Sequence, residues 1–238
     1  MATFVLIHGG GSSGWEFHLL EAELRALGHD VVAPDLPIED GANGLAEYAD
    51  AVVTAVGAHQ KQTGARQEAA AVGAPEDLVV VGHSFGGLVA PLVCDRLPSR
   101  MLVLLAGMIP RPGEPASDWW ANTGHQAEVD MEADPIGAFL HDVPTALAEE
   151  ALAKGRPQES DSLGKPWPLA AWPVVPTKVL AGRDDRFFPL EFMRRVARDR
   201  LGLEPDVIGG SHCMALSRPK ELAARLDGYL AAEQQTAQ

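Results

Sequence analysis

The feature that most constrains this chain is Gly82-His83-Ser84-Phe85-Gly86-Gly87, set directly after the apolar run Leu78-Val79-Val80-Val81. A β-branched run of this length reads as a buried strand, and the glycines after it read as a sharp turn into a helix. Such a turn holds its central residue in a strained conformation that exposes the side chain. Gly82 and Gly86 are needed there because any side chain would collide across the turn. The helix starting at Phe85 aims free N–H groups at the same point, which favours developing negative charge. Ser84 Oγ is thereby presented as a nucleophile for a carbonyl.

Other stretches carry matching chemistry. The opening run Thr3-Phe4-Val5-Leu6-Ile7 reads as a strand and leads into His8-Gly9-Gly10-Gly11. Glycines at a strand end let the backbone approach a ligand and present N–H groups to it. The N–H of Gly10, paired with that of Phe85, makes a two-donor oxyanion hole. No Gly-Lys-Ser/Thr follows, which argues against a nucleotide-phosphate loop. His8 reads as a structural ring fixing this loop, since a base so close to the donors would crowd the substrate oxygen. Late in the chain, the strand Thr177–Ala181 ends in Gly182-Arg183-Asp184-Asp185-Arg186-Phe187-Phe188-Pro189, and Val207-Ile208 ends in Gly209-Gly210-Ser211-His212. A carboxylate and an imidazole thus each follow a strand end, and in an open parallel sheet those ends share the edge where ligands bind. His212 is the expected base for Ser84, with an aspartate, Asp184 or Asp185, fixing its tautomer. The chain order Ser, Asp, His differs from that of chymotrypsin and of subtilisin.

Apolar strands alternate with helical periodicity along the chain, the pattern of a parallel sheet with helices on both faces. Helices are expected over Trp15–Leu27, Leu45–His59, Phe85–Leu97, Phe192–Leu201 and Lys220–Ala231. Pro91 falls inside the third and is a candidate kink. Gln60–Pro75 reads as a frayed helix end and surface loop, and Glu233–Gln238 as a loose tail. From 110 to 173 the alternation breaks. Pro110, Pro112 and Pro115 open this segment, and Pro166, Pro168 and Pro173 close it. It reads as a cap inserted into a core made of 1–109 and 174–238, with Trp119, Trp120 and Trp167 as candidate substrate-binding residues. Asp134, His141 and Asp142 lack a shared ligand face, so no metal is expected.

At 238 residues with 46% hydrophobic content the chain can bury a substantial core. A formal charge of −14 without a basic tract argues against nucleic acid and anionic membranes as partners. The cysteines, Cys94 and Cys213, suggest neither a disulfide framework nor a zinc site. Without a leader-like segment or a spanning apolar run, the expected compartment is the cytoplasm.

These residues together resemble the α/β-hydrolase superfamily, and within it the plant methylesterase and hydroxynitrile lyase branch. The resemblance rests on Phe4–Gly9, on Leu24-Arg25-Ala26-Leu27-Gly28-His29-Asp30-Val31-Val32-Ala33-Pro34-Asp35-Leu36, on the Ser84 turn, on Pro189-Leu190-Glu191-Phe192 and on Gly209–His212. It fades between about 110 and 170. It implies an open, mostly parallel six-stranded sheet with helices on both faces and an inserted helical cap. In relatives with a Gly-Arg-x-Asp-Arg-Phe-x-Pro stretch the second acidic position is the triad member, which selects Asp185 over Asp184.

Lyases of this branch are similar in carrying Thr after the first-strand His, Cys after the nucleophilic Ser, and Lys after the base His. This chain has Gly9, Phe85 and Cys213 at those positions. The expectation is therefore a serine hydrolase with Ser84, Asp185 and His212 as triad and Gly10 and Phe85 as oxyanion hole. It would act on small, largely apolar esters without a cofactor. The rivals are a cyanohydrin-cleaving lyase and a ligand receptor built on the hydrolase fold.

Overall fold

A computed structural model describes residues 1–63, 77–159 and 161–236. Most of the expected Gln60–Pro75 loop, and the last residues of the chain, lie outside this set.

Six strands form a single sheet: β1 (Thr3–Ile7), β2 (Asp30–Val32), β3 (Leu78–His83), β4 (Met101–Leu105), β5 (Thr177–Gly182) and β6 (Asp206–Ile208). Their order is β2-β1-β3-β4-β5-β6, and every pairing is parallel. The period-two alternation of strand side chains divides the core into two layers. Phe4, Leu6, Val79, Val81 and Val103 pack with Leu20 and Leu24 of α1 (His18–Ala26) and Leu222 and Leu226 of α8 (Pro219–Thr236). Val5, Ile7, Val80, Leu102 and Leu104 face the other way. There they meet α2 (Leu45–Thr63), α3 (Gly86–Arg96) and α6 (Leu190–Leu201). Central strands buried on both faces must be apolar at consecutive positions, which is why β3 and β4 read as unbroken hydrophobic runs.

Helix limits depart from the sequence expectation in three places. α2 runs on through Gln60 to Thr63, and α8 through Glu233 to Thr236, so the expected frayed end and loose tail are partly helical. Both extensions are built mainly of Gln, Glu and Lys, with no Gly or Pro inside them. The expected first helix begins instead as a tight three-residue-per-turn coil at Gly14–Phe17 and turns α-helical at His18. Pro91 is buried within α3, which continues past it to Arg96.

Between β4 and β5 the chain leaves the sheet. It forms α4 (Trp119–Thr123), a widened turn at Ile136–Leu140 and α5 (Thr145–Ala153). Pro115 and Pro166 bridge the base of this excursion. Glu114 fastens it to α6 through a buried ion pair with Arg200 and accepts a 2.9 Å hydrogen bond from Asn122. No helix among the described residues is long and apolar enough to cross a membrane.

Candidate active site

The carboxyl ends of β1, β3, β5 and β6 converge on one edge because all strands run the same way. Ser84 follows β3 with φ of 49°, a left-handed backbone that is costly for a residue with a Cβ. The turn is held by Ser84 N–H donating to Leu105 O at 3.1 Å and by Met108 N–H donating to Ser84 O at 2.8 Å. A methyl group on Gly82 would stand 2.6 Å from Gly86 O, and one on Gly86 would stand 2.4 Å from Ile7 O. Those glycines allow β1, β3 and α3 to close around the serine.

Asp185 meets His212, with Oδ2 2.8 Å from Nδ1 and both side chains almost fully buried. Its other oxygen, Oδ1, accepts the N–H groups of Phe187 at 2.9 Å and Phe188 at 2.8 Å. These bonds fix the carboxylate in the orientation that faces the ring. Asp184 is turned away and accepts Gly210 N–H at 3.1 Å. His212 lies among Phe139, Phe187 and Phe188. Its Nε2 is buried and has no hydrogen-bond partner among the described residues.

A cavity of about 220 Å³ opens onto Ser84, His212 and the Gly9–Gly11 loop. Gly9 and Gly11 N–H groups are taken by Glu16 and Gln158, at 3.2 and 2.9 Å. The N–H groups of Gly10 and Phe85 donate to no group among the described residues. The two residues adjoin, since a methyl on Gly10 would come 3.6 Å from Phe85 Cβ. An unpaired pair of donors beside a nucleophile suits a developing oxyanion.

His8 stands outside this cavity. Leu36 N–H donates to its Nε2 at 2.9 Å, so the ring proton sits on Nδ1 and donates to Gly9 O at 2.8 Å. Burial lowers its pKa, the shift being only partly opposed by Glu16. A neutral ring stapling the glycine loop is what these bonds require.

The tryptophan expectation needs correction. Trp119 and Trp167 do not line the cavity; both belong to the main core, and their indole N–H groups donate to Ile109 O and Leu88 O, each at 2.9 Å. A large buried aromatic with its one donor satisfied is a packing residue. Trp120 lies half-exposed over a separate depression with His125 and Phe187. The apolar lining comes instead from Trp15, Phe139, Leu140, Leu152 and Leu216, with Lys154 at the rim, its Nζ 5.3 Å from the Trp15 ring centre.

Two acidic residues and a histidine weighed as ligands serve different partners. Asp134 accepts Gly137 N–H at 2.8 Å, His141 Nε2 donates to Asp184 O at 2.8 Å, and Asp142 lies 3.3 Å from Arg218. Cys213 lines the cavity as a neutral thiol, its pKa pushed well up by burial and by Glu16, Asp185 and Asp142.

Sequence reasoning passed over Glu16 and His83, which are buried side by side against the site, Oε1 2.8 Å from Nδ1. One signal was available: a charged residue set between Trp15 and Phe17 in a stretch that must pack on the sheet.

Known proteins share this framework. The chain is 35% identical over 118 residues to the carbendazim hydrolyzing esterase of Nocardioides sp. (strain SG-4G), covering 48% of this chain and 45% of that one. Esterase PIR7B of Oryza sativa subsp. japonica is 36% identical over 182 residues, 68% of this chain and 63% of that protein. The chain spans less than half the length of the first curated relatives it matches, 45% and 41%. A solved methylesterase from Arabidopsis superposes with a TM-score of 0.75 at 16% identity, over 97% of this chain and 99% of that one. The model of the alpha/beta hydrolase family matches residues 4–225, from β1 into α8, and the chain belongs to that family.

Proposed function

We propose that this protein is a serine hydrolase that cleaves small, largely apolar carboxylic esters through an acyl-enzyme. The observation that carries the reading is the buried Asp185–His212 pair: His212 lines the same cavity as Ser84, and its Nε2 has no other partner among the described residues. In this mechanism Ser84 Oγ adds to the ester carbonyl while His212 Nε2 takes its proton. The N–H groups of Gly10 and Phe85 receive the oxyanion. His212 then returns the proton to the departing alcohol, and water repeats the sequence on the acyl-enzyme. Asp185 holds the Nδ1–H tautomer and stabilises the imidazolium. No metal or cofactor takes part.

The cavity supports this substrate class. At about 220 Å³ it is smaller than the usual several-hundred-Å³ ligand pocket, and its walls are mainly aliphatic and aromatic. The names of the relatives, esterases and methylesterases, agree with ester cleavage. Cyanohydrin cleavage is disfavoured because Cys213 is an uncharged thiol and Gly9 carries no hydroxyl. A receptor on the same fold is separated from an enzyme by repeated turnover. Cys94 and Cys213 are both free, in keeping with a reducing, cytoplasmic setting.

The test is a fluorophosphonate probe followed by peptide mapping, run beside a panel of p-nitrophenyl esters of graded acyl length. A single adduct on Ser84 and multiple turnovers are expected. Labelling at Ser12, Ser13 or Ser211, or a single slow cycle, rejects the reading.

A further inference from the structure

The buried pair that sequence reasoning missed connects two loops that the reaction needs. Glu16 Oε1 accepts Gly9 N–H at 3.2 Å and lies 2.8 Å from His83 Nδ1. On its other side, His83 Nε2 donates to His212 O at 3.1 Å. The two rings stand with centres 5.0 Å apart. Starting at the loop after β1, the chain of contacts passes through Glu16, then His83 beside the nucleophile, and ends on the backbone of the base.

We propose that Glu16 and His83 form an ion pair that positions the glycine loop and the His212 loop relative to Ser84. They are positioning residues: neither is needed to exchange a proton with substrate. This inference rests on the serine-hydrolase reading for its kinetic consequence, though not for its geometry.

Hydrogen-bond accounting sets the charge state. A neutral imidazole has one donor and one acceptor nitrogen, yet both nitrogens of His83 face acceptors, a carboxylate and a carbonyl. The imidazolium satisfies both, and Glu16 is its counter-ion. Burial alone would lower the His83 pKa, but the Glu16 charge and hydrogen bond outweigh it and leave it raised. Burial likewise pushes Glu16 up, and the charge and hydrogen bond of His83, with a hydrogen bond from Ser12, bring it below its ordinary value. Asp185 also favours the charged ring. The His212 ring and Cys213, whose thiol is pushed up by burial and by the Glu16 charge, also face the pair.

The pair also accounts for Gly9. A methyl there would stand 3.3 Å from both His83 Nδ1 and Ser84 Cβ, tighter than side chains normally approach. Removing one member of a buried pair leaves the other unsatisfied, so the loops should lose register rather than merely lose a contact. Misplacement on the order of 1 Å costs a reaction roughly a hundredfold.

The experiment combines a spectroscopic and a kinetic reading on the whole protein. In the wild type labelled with [15N]histidine, and assigned with His83→Asn, both ring nitrogens of His83 are expected to keep their protons to a higher pH than free histidine does. In Glu16→Gln the ring is expected to lose its second proton at a lower pH than free histidine. The rate at which a fluorophosphonate modifies Ser84 should fall by roughly tenfold or more in Glu16→Gln. The Glu16→Gln/His83→Gln double variant should be no slower than the worse single variant, as for residues acting as one unit. A neutral His83 in the wild type overturns the ion pair without need of any variant. A phosphonylation rate within twofold of wild type in folded Glu16→Gln overturns the positioning role. Failure of wild-type Ser84 to react at all would count against the hydrolase reading and leave the nitrogen spectrum to judge the pair.

Discussion

His212 and Asp185 face each other across 2.8 Å, Nδ1 to Oδ2, while Asp184, one residue earlier, points to the backbone of Gly210. Adjacent carboxylates thus have separate jobs, set by the turn that carries Asp185 Oδ1 to the N–H groups of Phe187 and Phe188. Asp185→Asn should lower kcat by a factor on the order of a thousand or more, because the amide favours the wrong imidazole tautomer. Asp184→Asn should keep most of the activity. Steady-state rates on a p-nitrophenyl ester decide this, and the reverse ranking would move the orienting role to Asp184.

Replacing the nucleophile should separate chemistry from folding. Ser84→Ala should lose nearly all turnover, since removing one member of a cooperative triad disables the unit. It should keep Tm close to wild type, because alanine retains the Cβ and so carries the same backbone strain that serine carries at φ of 49°. A large drop in Tm alongside lost activity would instead mark Ser84 as structural.

The choice between ester and cyanohydrin chemistry can be read directly. The wild type should release p-nitrophenol from short-chain esters and release no cyanide from mandelonitrile or acetone cyanohydrin. Gly9→Thr should depress ester turnover, since its Cβ crowds His83 Nδ1 and Ser84 Cβ at 3.3 Å. Cyanide release by the unmodified protein above its ester turnover would show that Gly9, Phe85 and Cys213 do not control the outcome.

The tryptophans and the cavity wall should respond differently. Trp167→Phe removes the donor to Leu88 O and a little packing, at a cost of about 1 kcal/mol, or roughly 2–4 °C in Tm. Its acyl-length preference should match wild type. Phe139→Ala and Leu140→Ala should shift that preference toward longer acyl chains, because both side chains face the cavity. A changed preference in Trp167→Phe would reverse the assignment.

The Glu16–His83 pair predicts a stability window. Glu16 is held below its ordinary value of 4.5, so its share is present above that value and disappears as pH falls through the lowered one. His83 is held above its ordinary 6.5, so its share is complete below that value and disappears as pH rises through the raised one. The Tm difference between wild type and Glu16→Gln should therefore be greatest between pH of about 4.5 and about 6.5, and narrow on both sides. A difference that keeps widening in alkali would contradict an ion pair.

Local sequence determined much of this protein. The apolar run Leu78–Val81 before glycines made the strand and the sharp turn at Ser84 legible. The placement of Gly10, Phe85 and His212 near one edge was legible for the same reason: each follows a strand end, and parallel strands bring their ends together. The selection of Asp185 over Asp184 needed more than spacing, and in the structure it depends on which carboxylate the Phe187–Phe188 turn captures. Distant packing lay beyond local pattern altogether. Trp119 and Trp167 have the composition of pocket walls, yet they were drawn into the core because carbonyls at Ile109 and Leu88 could satisfy their N–H groups. Glu16 lies 67 positions from His83 in the chain, and no periodicity links them. The parallel pairing of β1 with β3, together with the Gly14–Phe17 turn that follows β1, sets them side by side, in a buried site where a carboxylate and an imidazole neutralise each other.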